Sequence, residues 1–321
     1  MKNSLIRKAQ VISTLLSPLV MLGQIYGADA PLRVQIAYAS RTNSVAPEFI
    51  AQANGFVKAE GLEVELIQMN PRLGATALAN GDVWFTNAFT STFRGILQGF
   101  PLKLVLIHQK KTPYFLMVRP EIKDGQQLKG KKLGVSTIRG SDHLVAEELM
   151  QSKGFNPAQI QAVAIGESGV RMQALVAGAI DATAVSSPHD FMLRRRGFNA
   201  LAGPPELGVP GAGMFTSDRL LRENPQAIKG MLKALLRAHQ QILDNKPETL
   251  RAMLKWLPQQ SAEVAEHAYE NELKSITRDG LMTDAEVNGL INRFGEKKRP
   301  LDEVRDFSLA RQAWKEIESG R

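Results

Sequence analysis

Two seven-residue stretches, Ala77-Leu78-Ala79-Asn80-Gly81-Asp82-Val83 and Ala174-Leu175-Val176-Ala177-Gly178-Ala179-Ile180, decide how this chain is read. Each has the form of a helix end, a glycine cap and a strand start. Glycine suits that place because the residue after the last helical turn commonly takes a positive φ, which penalises a Cβ. Taken alone, the pair could be two ordinary helix–glycine–strand junctions. Their surroundings favour a repeat of a larger unit.

Working outward from the first stretch, the pattern predicts strands at 33–39, 62–67, 83–86 and 102–108, with helices at 47–54, 71–80 and 88–98 between them. After a strand at 114–118 the alternation restarts. Strands are expected at 132–135, 162–165, 180–185 and 198–201, a final apolar segment at 212–216, and helices at 142–153, 170–177 and 188–196. Strand and helix alternating at this spacing argue for parallel βαβ units, hence an α/β fold with two similar lobes. Beyond residue 216 the pattern is helical, at 225–243, 247–257, 262–276, 285–294 and 309–318, and Thr283 with Glu286 forms a capping box before the fourth.

Composition agrees. A chain of 321 residues has room for about two domains at ~150 residues each. The formal net charge is +8 and there is no cysteine, which excludes a disulfide framework, thiolate zinc sites and a cysteine nucleophile. The basic runs Lys129–Lys132, Arg194–Arg196 and Lys297–Arg299 are short and far apart, and aromatics are 6%. A nucleic-acid surface needs clustered cations interleaved with aromatics, so none is expected.

Residues 1–30 have the order of a signal peptide. Lys2, Arg7 and Lys8 open it, an apolar stretch from Val11 to Ile25 follows, and Gly27, Ala28 and Ala30 offer cleavage options. Removing them leaves a net charge of +6. The stretch is short for a membrane span, which needs about 20 predominantly apolar residues. The expectation is an exported, unanchored protein of the periplasm, since a lipid anchor would need a cysteine at the processing site.

The ordered set of motifs resembles the type II periplasmic solute-binding proteins of ABC importers, in particular the group that binds alkanesulfonates, nitrate, taurine and thiamine-pyrimidine precursors. The residues that carry it are Ser40-Arg41-Thr42-Asn43, the run from Ala53 to Leu62, Ala77–Gly81, Leu128–Val135 leading into Gly140-Ser141, and Ala174–Ala182 ahead of Pro188. One departure stands out: the strand after the glycine keeps an aspartate in the second copy, Asp181, but has Trp84 in the first. The resemblance implies two lobes, each a mostly parallel sheet flanked by helices, with the ligand cleft between them. Lobe 1 would comprise residues 31–113 and 217–321, lobe 2 residues 114–216, with crossovers near Lys111–Val118 and Gly211–Thr216. It also implies a small-molecule ligand, a membrane permease with its ATPase as partners, a monomer, no cofactor and no metal.

In open α/β sheets ligands bind at the carboxyl ends of strands. Four loops there carry polar residues, and they supply the expected ligand contacts: Ser40 and Arg41; Asn87 and Thr90; Thr137, Arg139, Gly140 and Ser141; Ser187 and His189. The third loop is the sharpest, because glycine allows close approach, a helix N-terminus follows, and Arg139 can clamp a carboxylate, sulfonate or phosphate. For Arg41 a surface role, for Asn87 and Thr90 helix capping, and for His189 plain surface placement are the alternatives. Tyr38 and Phe115 are either apolar walls or core. Two arginines with helix N-termini suggest an anionic solute.

Catalytic readings fail on spacing. Gly125–Lys131 starts like a phosphate loop, but Lys132 stands where Ser or Thr must hold magnesium, and the run precedes a strand. The five histidines include no HExxH pair, so a zinc hydrolase is not expected. Two rivals share the fold. Thiamine-pyrimidine synthases rely on a cysteine-rich motif that this chain lacks, and transcription-regulator effector domains carry an N-terminal helix-turn-helix in place of a signal segment.

Overall fold

The computed structural model describes residues 30–204, 209–256, 261–295 and 299–320. The expected signal segment at 1–30 lies outside them, apart from Ala30. Among the described residues ten strands form two five-stranded sheets. The first contains β1 (Leu32–Tyr38), β2 (Leu62–Gln68), β3 (Phe85–Thr86) and β4 (Leu102–Gln109). The second contains β5 (Phe115–Val118), β6 (Lys132–Val135), β7 (Gln161–Ala164), β8 (Ala182–Val185) and β9 (Asn199–Ala202). Strand β10 (Ala212–Ser217) returns to the first sheet.

The strand orders are β2-β1-β3-β10-β4 and β7-β6-β8-β5-β9, so the two sheets share one plan. In each, four strands run parallel, and the fourth position is taken by an antiparallel strand that has just crossed from the other lobe. Residues 212–216, expected near the second crossover, pair with β3 and β4 of the first sheet. A crossing strand buries its backbone groups best by joining the ladder at once, because an unpaired buried N–H or C=O is costly.

Both faces of each sheet are covered. Val34 and Ile36 of β1 pack under Met231, Leu232 and Leu235 of the long helix Pro225–Asp244, while Ala37, Ile107 and Phe215 face Phe89, Phe93 and Ile291. In the second lobe Leu133 and Val135 meet Val145 and Leu149, and Met117 meets Met172 and Leu175. Strands buried on both faces read as continuous apolar runs, which is why β4 carries Leu-Lys-Leu-Val-Leu-Ile. The C-terminal helices return to the first lobe, and the capping box at Thr283 and Glu286 forms.

The repeated glycine junction is the same structure twice. Gly81 and Gly178 have φ of 89° and 75°. Asp82 N donates to Ala77 O at 2.8 Å and Ala179 N to Ala174 O at 2.9 Å, while the glycine N–H groups reach Leu78 O and Leu175 O. Both are therefore the double-bonded left-handed cap of a helix. The next backbone bonds also correspond, Trp84 N to Gln35 O and Asp181 N to Lys132 O. Asp181 adds a side-chain bond, its Oδ2 accepting from Lys132 N at 2.9 Å, which Trp84 replaces with apolar packing in the first lobe. Gly178→Ala is expected to cost about 1–2 kcal/mol, the usual penalty for a Cβ in the left-handed region. A urea midpoint equal to that of the native protein would show that the cap tolerates a side chain.

Candidate functional site

The loops after β1, β3 and β6 meet over a cleft between the two sheets. First-lobe walls come from Ala39, Ser40, Thr42 and Ser44, from Pro71, and from Asn87–Ser91; second-lobe walls come from Tyr114, Ser136, Gly140–Asp142, Ser168 and Arg171. The cavity between them is small in this arrangement, about 50 Å³. The first residues of four helices face it: Pro71, Phe89, Ser141 and Ser168. Neither the helix at Phe89 nor that at Ser141 has a side-chain N-cap, so their first-turn N–H groups point toward the cleft without that partner.

Neutral hydrogen bonds join the lobes across this cleft. Ser168 N donates to Ser40 Oγ at 3.1 Å, Ser141 Oγ donates to Thr90 Oγ1 at 2.6 Å, and Asn43 N donates to Ser187 O at 3.2 Å. The lobes are therefore in contact, in a closed arrangement held by the same loops that line the cleft. Gly140 is required at its place by packing and not by φ, which is −72°. A Cβ there would stand 2.5 Å from Thr137 Oγ1 and 3.2 Å from Asp142 Oδ1.

Arg171 is the largest fully buried side chain among the described residues and forms part of the cleft floor. Nε donates to Thr183 Oγ1, Nη1 to Gly166 O at 2.6 Å, and Nη2 to Ser168 Oγ and Ala184 O. Nη1 also pairs with Asp142 Oδ2 at 3.4 Å. Every nitrogen is thus engaged, so Arg171 supplies positive field and rigidity under the cleft and not a free hydrogen-bonding fork. Asp142 in turn accepts from Ser136 N and Ser136 Oγ, both at 2.6 Å, which fixes the loop after β6. Burial, with the charge of Asp142 next in size and Arg171 opposing both, raises the Tyr114 phenol well above its usual range and keeps it a neutral wall.

Of the residues expected from sequence, Ser40, Asn87, Thr90, Gly140 and Ser141 line the cleft. Asn87 directs its amide downward, donating to Glu48 Oε1 at 2.9 Å and Ser44 O at 3.3 Å. Thr137 and Arg139 line a neighbouring groove. Arg41 lies elsewhere, exposed, with its guanidinium 5.3 Å from the Trp256 ring centroid. Ser187 is buried behind the cleft, donating to Asp190 Oδ1 and accepting from Asn271 Nδ2. His189 is buried too, and desolvation lowers its pKa to about 4, so it is neutral at pH 7. Tyr38 belongs to the core beside Trp256, and Phe115 lies under Arg194.

Sequence reasoning gave no ligand role to Tyr114, Asp142, Ser168 or Arg171. A signal for Arg171 exists. Ser168, Arg171, Met172 and Leu175 are the buried positions of one helix, so the arginine stands on a face whose spacing is that of a core stripe.

Residues 42–249 match the family described as NMT1/THI5-like. The chain belongs to this family. Among curated members of known proteins, it is 25% identical over 228 residues to the riboflavin-binding protein RibY of Chloroflexus aurantiacus, covering 67% of this chain and 63% of that one. The match thus spans less than two thirds of that relative. It is 24% identical over 246 residues to the 4-amino-5-hydroxymethyl-2-methylpyrimidine phosphate synthase THI13 of Saccharomyces cerevisiae, covering 70% and 71%. The alkanesulfonate-binding protein SsuA from Xanthomonas axonopodis pv. citri, solved bound to MOPS, superposes with a TM-score of 0.68 at 16% identity, covering 88% of this chain and 98% of that one. This family member therefore has the two-lobed fold of periplasmic binding proteins. No helix among its described residues is long and apolar enough to cross a membrane, and no group of three or more potential metal ligands occurs among them.

Proposed function

We propose that this protein is the substrate-binding component of an ABC importer, capturing a small organic anion in the periplasm by closing its lobes. The observation that carries the reading is the convergence of four helix N-termini on one cleft whose walls come from both lobes. Helix N-termini favour negative charge, and two of these lack side-chain caps. Contacts that form only when the lobes meet, such as Ser141 to Thr90, are where a bound solute adds differential stabilisation of the closed form. The closed form would dock on a permease driven by an ATPase, with the protein acting as a monomer.

A flat heterocycle would need aromatic faces for stacking. The cleft offers only Tyr114 and Phe89, and Phe89 is committed to the first-lobe core against Phe93 and Phe215. That favours an anion over a flavin or pyrimidine. The test is a thermal-shift screen of unfolded and refolded protein, so that co-purified solute is removed, against alkanesulfonates, carboxylates, nitrate and pyrimidines. The expected result is a rise in melting temperature with at least one anion, confirmed by calorimetry, and none with pyrimidines. Selective stabilisation by a pyrimidine would overturn the anionic reading, and conversion of any ligand to product would overturn the binding one.

A further inference from the structure

Beside the cleft lies a second, larger groove of about 740 Å³, and its walls also come from both lobes. Arg72 and Arg94 reach it from the first lobe, Arg139 from the second, with Ile138 and Phe294 as apolar walls. Ser91 lines both the cleft and the groove, so the two spaces adjoin.

The three guanidiniums are close and short of counter-charge. Arg72 Nη2 donates to Ile138 O at 2.9 Å and Arg94 Nη1 to Arg139 O at 3.3 Å. These are carbonyl acceptors on the opposite lobe, which satisfy single N–H groups but neutralise nothing. Among the described residues none of the three arginines is ion-paired with a carboxylate. Of the acids nearby, Glu147 stands 3.5 Å from His143 and also acts on Arg94, while Glu148 is paired with Arg293. Among the described residues Arg94 Nε is buried with no partner, and its guanidinium stands 5.4 Å from the Phe294 ring centroid. Burial, then the charges of Arg139 and Arg72, lower the Arg94 pKa from its usual value, with Glu147 opposing. Arg139 holds a φ of 64°, a left-handed conformation that costs a non-glycine residue strain, with its N–H fixed by His143 Nδ1 at 2.8 Å. Three cations brought together by lobe closure repel one another, and that repulsion is relieved by an anion of more than one charge.

We propose that the Arg72–Arg94–Arg139 groove is an anion subsite for a phosphate-class dianion, filled when the lobes are closed. Arginine forks match phosphate oxygens in pairs, and the unused N–H groups here belong to three separate forks. The site deepens the solute-binding reading and rests on it for the occupant's source: either the far end of a phosphorylated solute whose other end enters the cleft past Ser91, or a free phosphate that clips the lobes shut.

The test is calorimetric titration of the full chain with inorganic pyrophosphate at low and physiological salt, alongside inorganic phosphate and ethyl phosphate. Arg72→Gln, Arg94→Gln and a control at the remote Arg251→Gln complete the set. Arg72 is exposed, so its replacement leaves the fold intact and keeps the test decisive if Arg94→Gln unfolds. Pyrophosphate is expected to bind the native protein, with affinity at least tenfold weaker in Arg72→Gln and Arg94→Gln and unchanged in Arg251→Gln. No binding at low salt, or equal affinity in all variants, overturns the proposal. Tyr114→Phe, which alters the cleft wall and neither the groove nor a bond between the lobes, is expected to leave pyrophosphate affinity intact while weakening any solute found in the thermal-shift screen. The subsite and the transport reading therefore fail separately. Competition between ethyl phosphate and that solute assigns the groove to the solute's own phosphate; additive binding assigns it to a free anion.

Discussion

Replacing Arg171 with methionine is expected to cost about 3–5 kcal/mol of folding stability, the range seen when one partner of a buried ion pair is removed. The loss does not come from the pair alone. Asp142, 2% exposed, would keep Ser136 but lose its cationic partner, and the carbonyls of Gly166 and Ala184 would lose their donor. Urea unfolding measures the change directly. The double variant Arg171→Met with Asp142→Leu is expected to recover part of it, because two apolar side chains leave no stranded charge. A single-variant loss under about 1 kcal/mol would show that solvent reaches Asp142 and that the cleft floor is not the rigid element inferred above.

The second large effect is expected at Glu272, which lies beneath the first lobe's crossover and is fully buried. Burial raises its pKa to about 8; the bond from Gln109 Nε2 at 2.7 Å opposes the shift and the charge of Glu48 adds to it. The folded protein therefore holds a proton that the unfolded chain releases near pH 4.5. The stabilising contribution of the protonated form is complete below pH 4.5 and is lost as pH rises toward 8. Glu272→Gln imitates the protonated acid at every pH. Its stability should match the native protein below about pH 4.5 and then gain on it by about 1.4 kcal/mol per pH unit until the folded group titrates. The comparison cancels the neighbouring pair His108 and His239, whose rings are 2.7 Å apart at Nδ1 and Nε2 and whose His239 member is held neutral by burial. Parallel stability curves for the two proteins from pH 4 to 8 would mean that Glu272 titrates normally.

Most of the fold was legible because its signals are local. The helix at Pro71–Asn80 and the strand at Lys132–Val135 have the boundaries that spacing predicts, since proline, glycine and the apolar runs act within a few residues. The short helices Phe56–Ala59, Asp218–Glu223 and Leu301–Val304 were missed, being too brief to show a period. The cleft was half legible. Ser40, Thr90 and Ser141, named from their strand-end loops, line the cleft, but nothing within those loops says that Ser40 meets Ser168 or that Thr90 meets Ser141.

The sequence by itself determined the two-lobe plan, through the repeated junctions at Gly81 and Gly178 and the alternation around each, because capping and periodicity are properties of neighbouring residues. It also determined that no thiol chemistry operates here, as the chain has no cysteine. Only the tertiary structure decided the roles of the arginines. Arg41 turns to Trp256, Arg139 is directed by its left-handed backbone into the outer groove, and Arg171 is sealed under the cleft. Each outcome depends on partners brought together by lobe packing from distant parts of the chain, and a guanidinium carries the same charge in sequence whether it ends in solvent, in a groove or in the core.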